Sequence, residues 1–334
     1  MVLVTGDYGT LTDNIYSIKE VFNDAMADQV NEAMGLTIFN VEDTKTKNDR
    51  LELNHGLSWV KRIAENEDYP EATGEQGDNI TLTKYKYGAN VVITKEDILY
   101  DKWNQIRDNV PSIVEEGMSK LDVSLADVLM NGFATSYTNV WGDSVSSVWP
   151  DGSELFDAAH SNGTTDSTYN NIITDGTNVN ASLEWNREAL TVTKATGLKY
   201  ADPNGVKRRI KFDTLLTSPD LEDAAHRLCR SQYIPGSANN DTNKVVMEMV
   251  KIIKVWDKLD ATGNASTDRS AYRYMYDSKK IKRTLRCFFS QRPDLSDPKQ
   301  FSLNHNNNFL FDFLYSYGFS RSPYIMGSKG TNAA

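Results

Sequence analysis

"LFDAAHSN", residues 155–162, sets Asp157 three residues before His160. On a helix this spacing would bring a carboxylate and an imidazole to one face. The stretch reads as a catalytic acid/base pair, as half of a metal site, or as neither. The chain has only four histidines, His55, His160, His226 and His305, and none has a second histidine at ligand spacing. A dyad without a nucleophile or oxyanion donors is a weak catalytic signal. "HSNG" continues directly into a polar run, so the favoured reading is a side chain that fixes the start of a loop.

The bulk numbers describe an ordinary globular chain. Its 334 residues allow two domains, or one large domain with insertions. No apolar run approaches eighteen residues, so no membrane span is expected. The opening "MVLVTGDYGTLTDN" lacks a basic segment followed by a long apolar core, so no signal peptide is expected. Two cysteines, Cys229 and Cys287, make neither a disulfide framework nor a zinc site. They read as small buried hydrophobes in a reducing cytoplasm. Net charge is −10 and unevenly placed: residues 1–130 carry 24 acidic and 12 basic side chains, the remainder 22 and 24. Neither part has the clustered basic excess of a sequence-reading nucleic-acid binder.

Outward from the opening stretch, periodicity assigns the elements. Residues 11–34 predict a helix with Ile15, Ile18, Phe22, Ala25, Met26 and Met34 on one stripe, a cap at Thr12 or Asp13, and a stop at Gly35. Residues 56–66 and 80–93 predict two strands joined by the polar "EDYPEATGEQGDN". A two-stranded arm of this kind is marginal alone and needs a surface to lie on. "TKEDILYDKW" predicts a short helix, with Thr94 and Asp97 in capping-box spacing. Residues 109–131 predict the clearest helix. Ile113, Val114, Gly117, Leu121, Leu125, Val128 and Leu129 form its face, Asp122 and Asp127 lie mostly off it, and Pro111 falls in its first turn.

Beyond the opening stretch, residues 160–182 read as loop and "LEWNREALTVTKAT" as helix. Next come a turn, a strand and a helix starting at Pro219. The β-branched content of "KVVMEMVKIIKVWDKL" favours strands. "SAYRYMYD", "IKRTLRCFF" and "NFLFDFLYSYGF" are strand-like, with "HNNN" at 305–308 a polar break. No repeat of 20–50 residues is visible. The fold class is α+β with long non-local pairings.

The standard catalytic sets are missing: no phosphate loop, no dinucleotide fingerprint, no nucleophile elbow and no H-E-x-x-H. Asp241–Asn243 matches a calcium loop only weakly, since the twelve-residue pattern is absent. "KRR" at 207–209 reads as a solvated strand end or a rim contact between subunits before it reads as a phosphate site. Tyr272, Tyr274 and Tyr276 form a period-2 aromatic face that suits sheet packing better than base stacking. The sequons at Asn162 and Asn180 carry no weight without secretion.

Taken in order, "LF-x-x-AH-x-N", a polar loop, "LEWNREAL", a stretch ending "DPNG", then "LLTSPDLEDAAHRLCRSQ" resembles the major capsid protein of tailed bacteriophages. The resemblance is closest to the Mu-type head subunits, with the Hong Kong 97 phage capsid fold. It covers most of the chain and is strongest from Leu155 to Gln232.

The resemblance implies an N-terminal arm at 1–45 and an extended hairpin loop at 55–93. It implies a peripheral domain at 46–54 and 94–205 with a spine helix at about 109–131. An axial domain would follow at 206–290, then a return to the peripheral domain and a tail at 291–334. It further implies a homo-oligomer of hexamers and pentamers forming an icosahedral shell around double-stranded DNA, without sequence-specific binding. Expected partners include scaffolding, portal and decoration proteins. No cleavable scaffolding segment is expected before the arm, which leaves a separate scaffold protein or none. The expected location is the virion, assembled in the bacterial cytoplasm. No enzyme activity, cofactor, metal or membrane contact is expected. Placement on arm, hairpin and basic run marks Phe22, Trp59, Lys61, Arg62, Tyr69, Lys84, Lys86, Arg208 and Arg209 as contacts between subunits. The alternatives are a cellular encapsulin-like nanocompartment shell and, more remotely, a soluble hydrolase using Asp157 and His160.

Overall fold

The computed structural model describes residues 6–57, 62–65, 68–69, 74–94, 103–149, 151–161, 168–174, 186–201, 207–234, 241–259, 269–296, 299–300, 307–320 and 323–330. Helices and strands mix along the chain in an α+β architecture, and the chain divides into two compact units. One unit gathers Met1–Asp49, Leu82–Asp122 and Cys287–Tyr317; the other gathers Arg50–Thr81, Val123–Arg286 and Gly318–Ala334.

The first unit is built on a five-stranded sheet. Asn40–Asp43, Leu285–Leu295, Asn307–Phe319 and Lys299–Gln300 follow in that order, and Tyr85–Ile93 also pairs with Asn307–Phe319. That last pairing is antiparallel, with Phe311 opposite Ala89 and Tyr315 opposite Tyr85. Period-2 alternation sends Phe309, Phe311, Phe313 and Tyr315 to the buried face. The N-terminal helix Gly6–Glu32 lays Ile18 and Phe22 on that face, with the Phe22 and Phe311 rings edge to face at 5.8 Å. It starts earlier than the periodicity predicts. Gly35 is not a stop but lies inside a second short helix, Met34–Ile38.

The long helix runs Trp103–Met130, so it is about 42 Å long at 1.5 Å per residue. Pro111 is therefore in its interior rather than its first turn. The lost backbone hydrogen bond is tolerated because Val110, Val114, Met118 and Leu121 bury a continuous apolar face around it. Gly117 sits where Phe311 approaches so closely that any Cβ would collide with the ring.

The expected hairpin is shifted. Its strands are Asn48–Leu57 and Gly74–Thr83, which form a two-stranded sheet of their own. The run 80–93 breaks at Lys84, and Tyr85–Ile93 leaves for the five-stranded sheet. Alternation alone could not show that break, because it continues in phase across Lys84. Most of "TKEDILYDKW", expected as a short helix, lies outside the described residues.

The second unit centres on a four-stranded sheet in the order Ile252–Val255, Thr214–Thr217, Arg273–Tyr276, Ile325–Ser328. The first pair is parallel and the other two antiparallel. Every residue of the two inner strands and of the edge strand Ile325–Ser328 is buried, so Tyr274 and Tyr276 lie in a sheet covered on both faces. Tyr272 precedes its strand and is half-buried. The core around this sheet includes Leu190, Phe212, Leu215, Cys229, Val246 and Met326.

Helix Arg187–Lys199 is capped by Asn186, whose side chain accepts from Ala189 N–H at 2.8 Å. Pro219–Leu221 forms a single 3₁₀ turn before helix Glu222–Arg230. "KVVMEM", predicted as strand, is the short helix Lys244–Met249; Val246 and Met249, three apart, are its buried pair. Here tertiary packing overrides the β preference of paired valines. The "KRR" run is not the end of a strand, and Asn307 and Asn308 open a strand instead of breaking one. The 160–182 loop contains a short ladder, His160–Ser161 against Thr168–Tyr169.

Candidate functional site

The opening stretch folds around its histidine, not around a dyad. His160 is 2% exposed, and its Nε2 lies 3.2 Å from the Leu155 carbonyl. Its ring stacks on Tyr169 at 5.0 Å, the residue opposite it in the ladder. Asp157 turns away: its carboxylate accepts from Ala159 N–H at 3.1 Å and closes its own turn. Its backbone N–H donates to Asn171 Oδ1 at 2.8 Å, while Asn171 Nδ2 donates to the Leu155 carbonyl at 2.6 Å. The carboxylate that faces His160 is Asp151, 3.6 Å from Nδ1. Ring, amide and carboxylates thus tie Asp151, Leu155, Asp157, His160, Tyr169 and Asn171 together. Sequence spacing missed Asp151 and Asn171, because Asp151 lies in a separate turn and Asn171 just beyond the ladder, not on one helix face.

Among the described residues, no group of three or more His, Cys, Asp or Glu side chains is placed to hold a metal. Burial pushes the Cys229 thiol up to about 12, and the Cys287 thiol is raised further, so neither supplies a thiolate at neutral pH. Among the described residues, Asp127 is the carboxyl whose value is strongly raised. Burial lifts it to about 7, against an N–H from Val140 at 3.3 Å and the charge of Arg269. It was expected off the apolar face of its helix, yet it is only 4% exposed, as is Asp122. Asp122 accepts from Gly35 N–H at 2.7 Å, at the start of the short second helix.

The hairpin has a built anchor. At the break between its second strand and the five-stranded sheet, Lys84 Nζ lies 2.9 Å from Asp49 Oδ2, with both side chains at or below 5% exposure. The ammonium also donates to the Thr44 and Thr46 carbonyls at 3.2 and 3.0 Å and to the Thr44 hydroxyl. Asp49 collects hydroxyls from Thr44, Thr46 and Ser316 at 2.8, 2.7 and 3.1 Å. Burial raises its carboxyl, but the bonds from Thr46, Lys84, Thr44 and Ser316 outweigh that and hold it below its ordinary value. One saturated ion pair therefore pins three segments at the root of the arm.

The nine expected contact residues divide. Phe22 and Lys84 are withdrawn: each is covered within its own unit, one by the aromatic core and one by Asp49. Trp59 and Lys61 lie outside the described residues. Arg62 is exposed and Tyr69 is 86% exposed. Lys86 is exposed and paired with Asp312 at 2.5 Å. Arg208 and Arg209 are exposed, with Arg209 on the wall of an open cleft of about 240 Å³ that also includes Lys194, Lys211 and Lys251. No described helix is long and apolar enough to cross a membrane.

The described surface offers exposed charged faces. The sequence model of the phage capsid protein family matches residues 79–278, more than half of the chain. The chain belongs to the phage capsid protein family, and its role is that of a structural capsid protein. No curated protein matches it. It is similar to a virus-like particle from Pyrococcus furiosus, at 11% identity and TM-score 0.45, over 91% of this chain and 96% of that one. It is similar to the capsid of Cyanophage P-SCSP1u, at 13% and 0.49, over 89% and 87%. It is also similar to the procapsid of bacteriophage JBD30, at 11% and 0.48, over 98% and 76%.

Proposed function

We propose that this subunit assembles through hexamers and pentamers into an icosahedral head of the Hong Kong 97 type that encloses double-stranded DNA. The observation that carries the reading is the hairpin. Two ten-residue strands, about 33 Å long, pair only with each other, yet their root is held by a buried ion pair. An isolated two-stranded ribbon is marginal in water, so a rigidly rooted one gains its stability by lying on another chain. In this reading the hairpin is the extended loop and Trp103–Met130 the spine helix. The four-stranded sheet belongs to the axial domain, which then also takes the strand Ile325–Ser328. Exposed Arg62, Tyr69, Lys86, Arg208 and Arg209 serve as contacts between copies. Assembly proceeds in the host cytoplasm, with scaffolding, portal and decoration proteins as partners, and the mature location is the virion.

Net negative charge supports a container, because a wall that gripped phosphate strongly would hinder filling. Electron microscopy of the purified full-length protein tests the proposal. Uniform closed particles, or regular hexamers and pentamers, are expected. A stable monomer at all concentrations overturns it.

A further inference from the structure

The four-stranded sheet of the second unit has opposite charge at its two ends. Register places Lys251, just before Ile252, beside the start of Thr214–Thr217, because Ile252 lies opposite Thr214. Tyr276 also lies opposite Thr214, so the segment after it, with Lys279, Lys282 and Arg283, leaves at the same end. Arg209 and Lys211 arrive there too, and the Lys280 ammonium donates to the Arg209 carbonyl at 3.0 Å. Arg209, Lys211, Lys251, Lys279, Lys282 and Arg283 are all exposed.

The acids among them are occupied. Asp213 accepts from the Ser278 N–H and hydroxyl at 2.9 and 2.7 Å. Asp277 accepts from the Lys211 and Lys279 N–H groups at 3.2 and 3.1 Å. Glu248 faces Lys244 at 3.8 Å. Crowding is felt inside the sheet, where burial and the nearby Lys282 lower the Lys254 pKa.

The opposite end is acidic. Thr217 leads into Pro219–Leu221 and helix Glu222–Arg230, which present Asp220, Glu222 and Asp223, all exposed. Val255, opposite Thr217, leads to Asp257. The exposed base here is Arg227, paired with Asp223; Lys258, paired with Asp257 at 2.6 Å, Arg269, whose charge acts on Asp127, and Lys329, over the Phe133 ring, are partly covered, and Arg273, opposite Thr217, is buried. Helix Glu222–Arg230 repeats the polarity. Its first turn holds Glu222 and Asp223 and its last turn Arg227 and Arg230, and the Arg230 guanidinium donates to the Lys251 carbonyl at the basic end.

A ring of identical subunits needs two different, complementary patches on each chain, because a heterologous contact joins the head of one copy to the tail of the next. We infer that the basic end of this sheet, centred on Arg209, Lys211 and Lys282, docks against the acidic end, Asp220, Glu222 and Asp223, of the adjacent copy in the ring. The inference rests on the shell reading and adds the faces that meet and the force that selects them. A nucleic-acid phosphate backbone would also suit the basic end. The second copy is favoured because the complementary acidic face is present on the same unit.

Charge exchange tests it. Arg209→Glu with Lys282→Glu is one variant, Asp220→Lys with Glu222→Lys the other, and the four changes together the third. All positions are exposed, and circular dichroism with thermal unfolding verifies each fold. Each double reversal is expected to lower the yield of rings or particles about tenfold, since like charges then face each other. An equimolar mixture of the two double variants, and the fourfold variant, are expected to recover yield to within about threefold. Wild-type protein that forms no rings or shells defeats the shell reading itself. Wild-type shells with unchanged assembly of both reversals overturn this inference alone. Loss confined to the basic reversal, with no rescue and a matching loss of affinity for a duplex oligonucleotide, overturns it in favour of phosphate binding.

Discussion

Lys84 and Asp49 show how one side chain fixes the root of an arm. The pair is buried and every polar atom has a partner, so removing one member leaves an uncompensated charge. Lys84→Met is expected to cost about 3–5 kcal/mol, read by urea unfolding of the isolated subunit. Adding Asp49→Leu is expected to return part of that loss; a double variant as unstable as the single would refute ion-pair desolvation as the cause. Asp49, held below its ordinary value, contributes stability that is present above about pH 4 and is lost as pH falls through its folded pKa. Asp127 has the opposite sign. Its carboxyl is raised to about 7, so the folded state binds a proton that the unfolded chain releases near pH 4. Its contribution is fully present below about pH 4 and disappears as pH rises through about 7. Asp127→Asn is therefore expected to flatten the fall in melting temperature between pH 4 and pH 8. An unchanged slope in the variant would remove Asp127 as its source.

Elements carry the hairpin, and the sequence made some of them far more legible than others. The N-terminal helix, the long helix, Arg187–Lys199 and the aromatic strand Asn307–Phe319 each have a strong period, and each forms as the type of element the period predicts, although the first two helices start earlier than it places them. What misled was a period that stays in phase through a topological break, as at Lys84, and β-branched residues in a short helix, as at Lys244–Met249. Both outcomes are decided by distant partners, Asp49 in one case and the core around Val246 in the other. The His160 knot was legible only as an absence of catalytic companions; Asp151 reaches it from a separate turn and Asn171 from just beyond a ladder, placements that spacing cannot reveal. Because the paired strands are 48–57 and 74–83, the segment that joins them in sequence is 58–73. Replacing it with Asn-Gly, a turn suited to a two-residue hairpin, is expected to leave a folded subunit that no longer assembles. Normal particles from that variant would show that the arm has no role between subunits. Gly117→Val is the contrasting case. The added side chain meets the Phe311 ring inside the first unit, so the expected effect is a loss of about 1–3 kcal/mol in subunit stability.

At the scale of the whole molecule, the proposed contacts would let neighbouring copies cover the arm and the two oppositely charged faces. Closed symmetry repeats each modest contact many times, so stability belongs to the shell more than to the chain. Protease accessibility reads this out directly. Arg62 and Tyr69 are exposed in the single subunit and lie between the hairpin strands, where trypsin and chymotrypsin respectively cut. In unassembled subunits both sites are expected to be cleaved within minutes, before the buried strands Thr214–Thr217 and Arg273–Tyr276 are touched. In assembled particles the same bonds are expected to be protected by about tenfold or more, because the hairpin lies against another copy. Raising salt to about 1 M shortens the screening length to about 3 Å. If charged faces join the ring, protection should fall in step with particle yield. Equal cleavage in free and assembled protein would place the hairpin outside the contacts that build the shell, even if shells form.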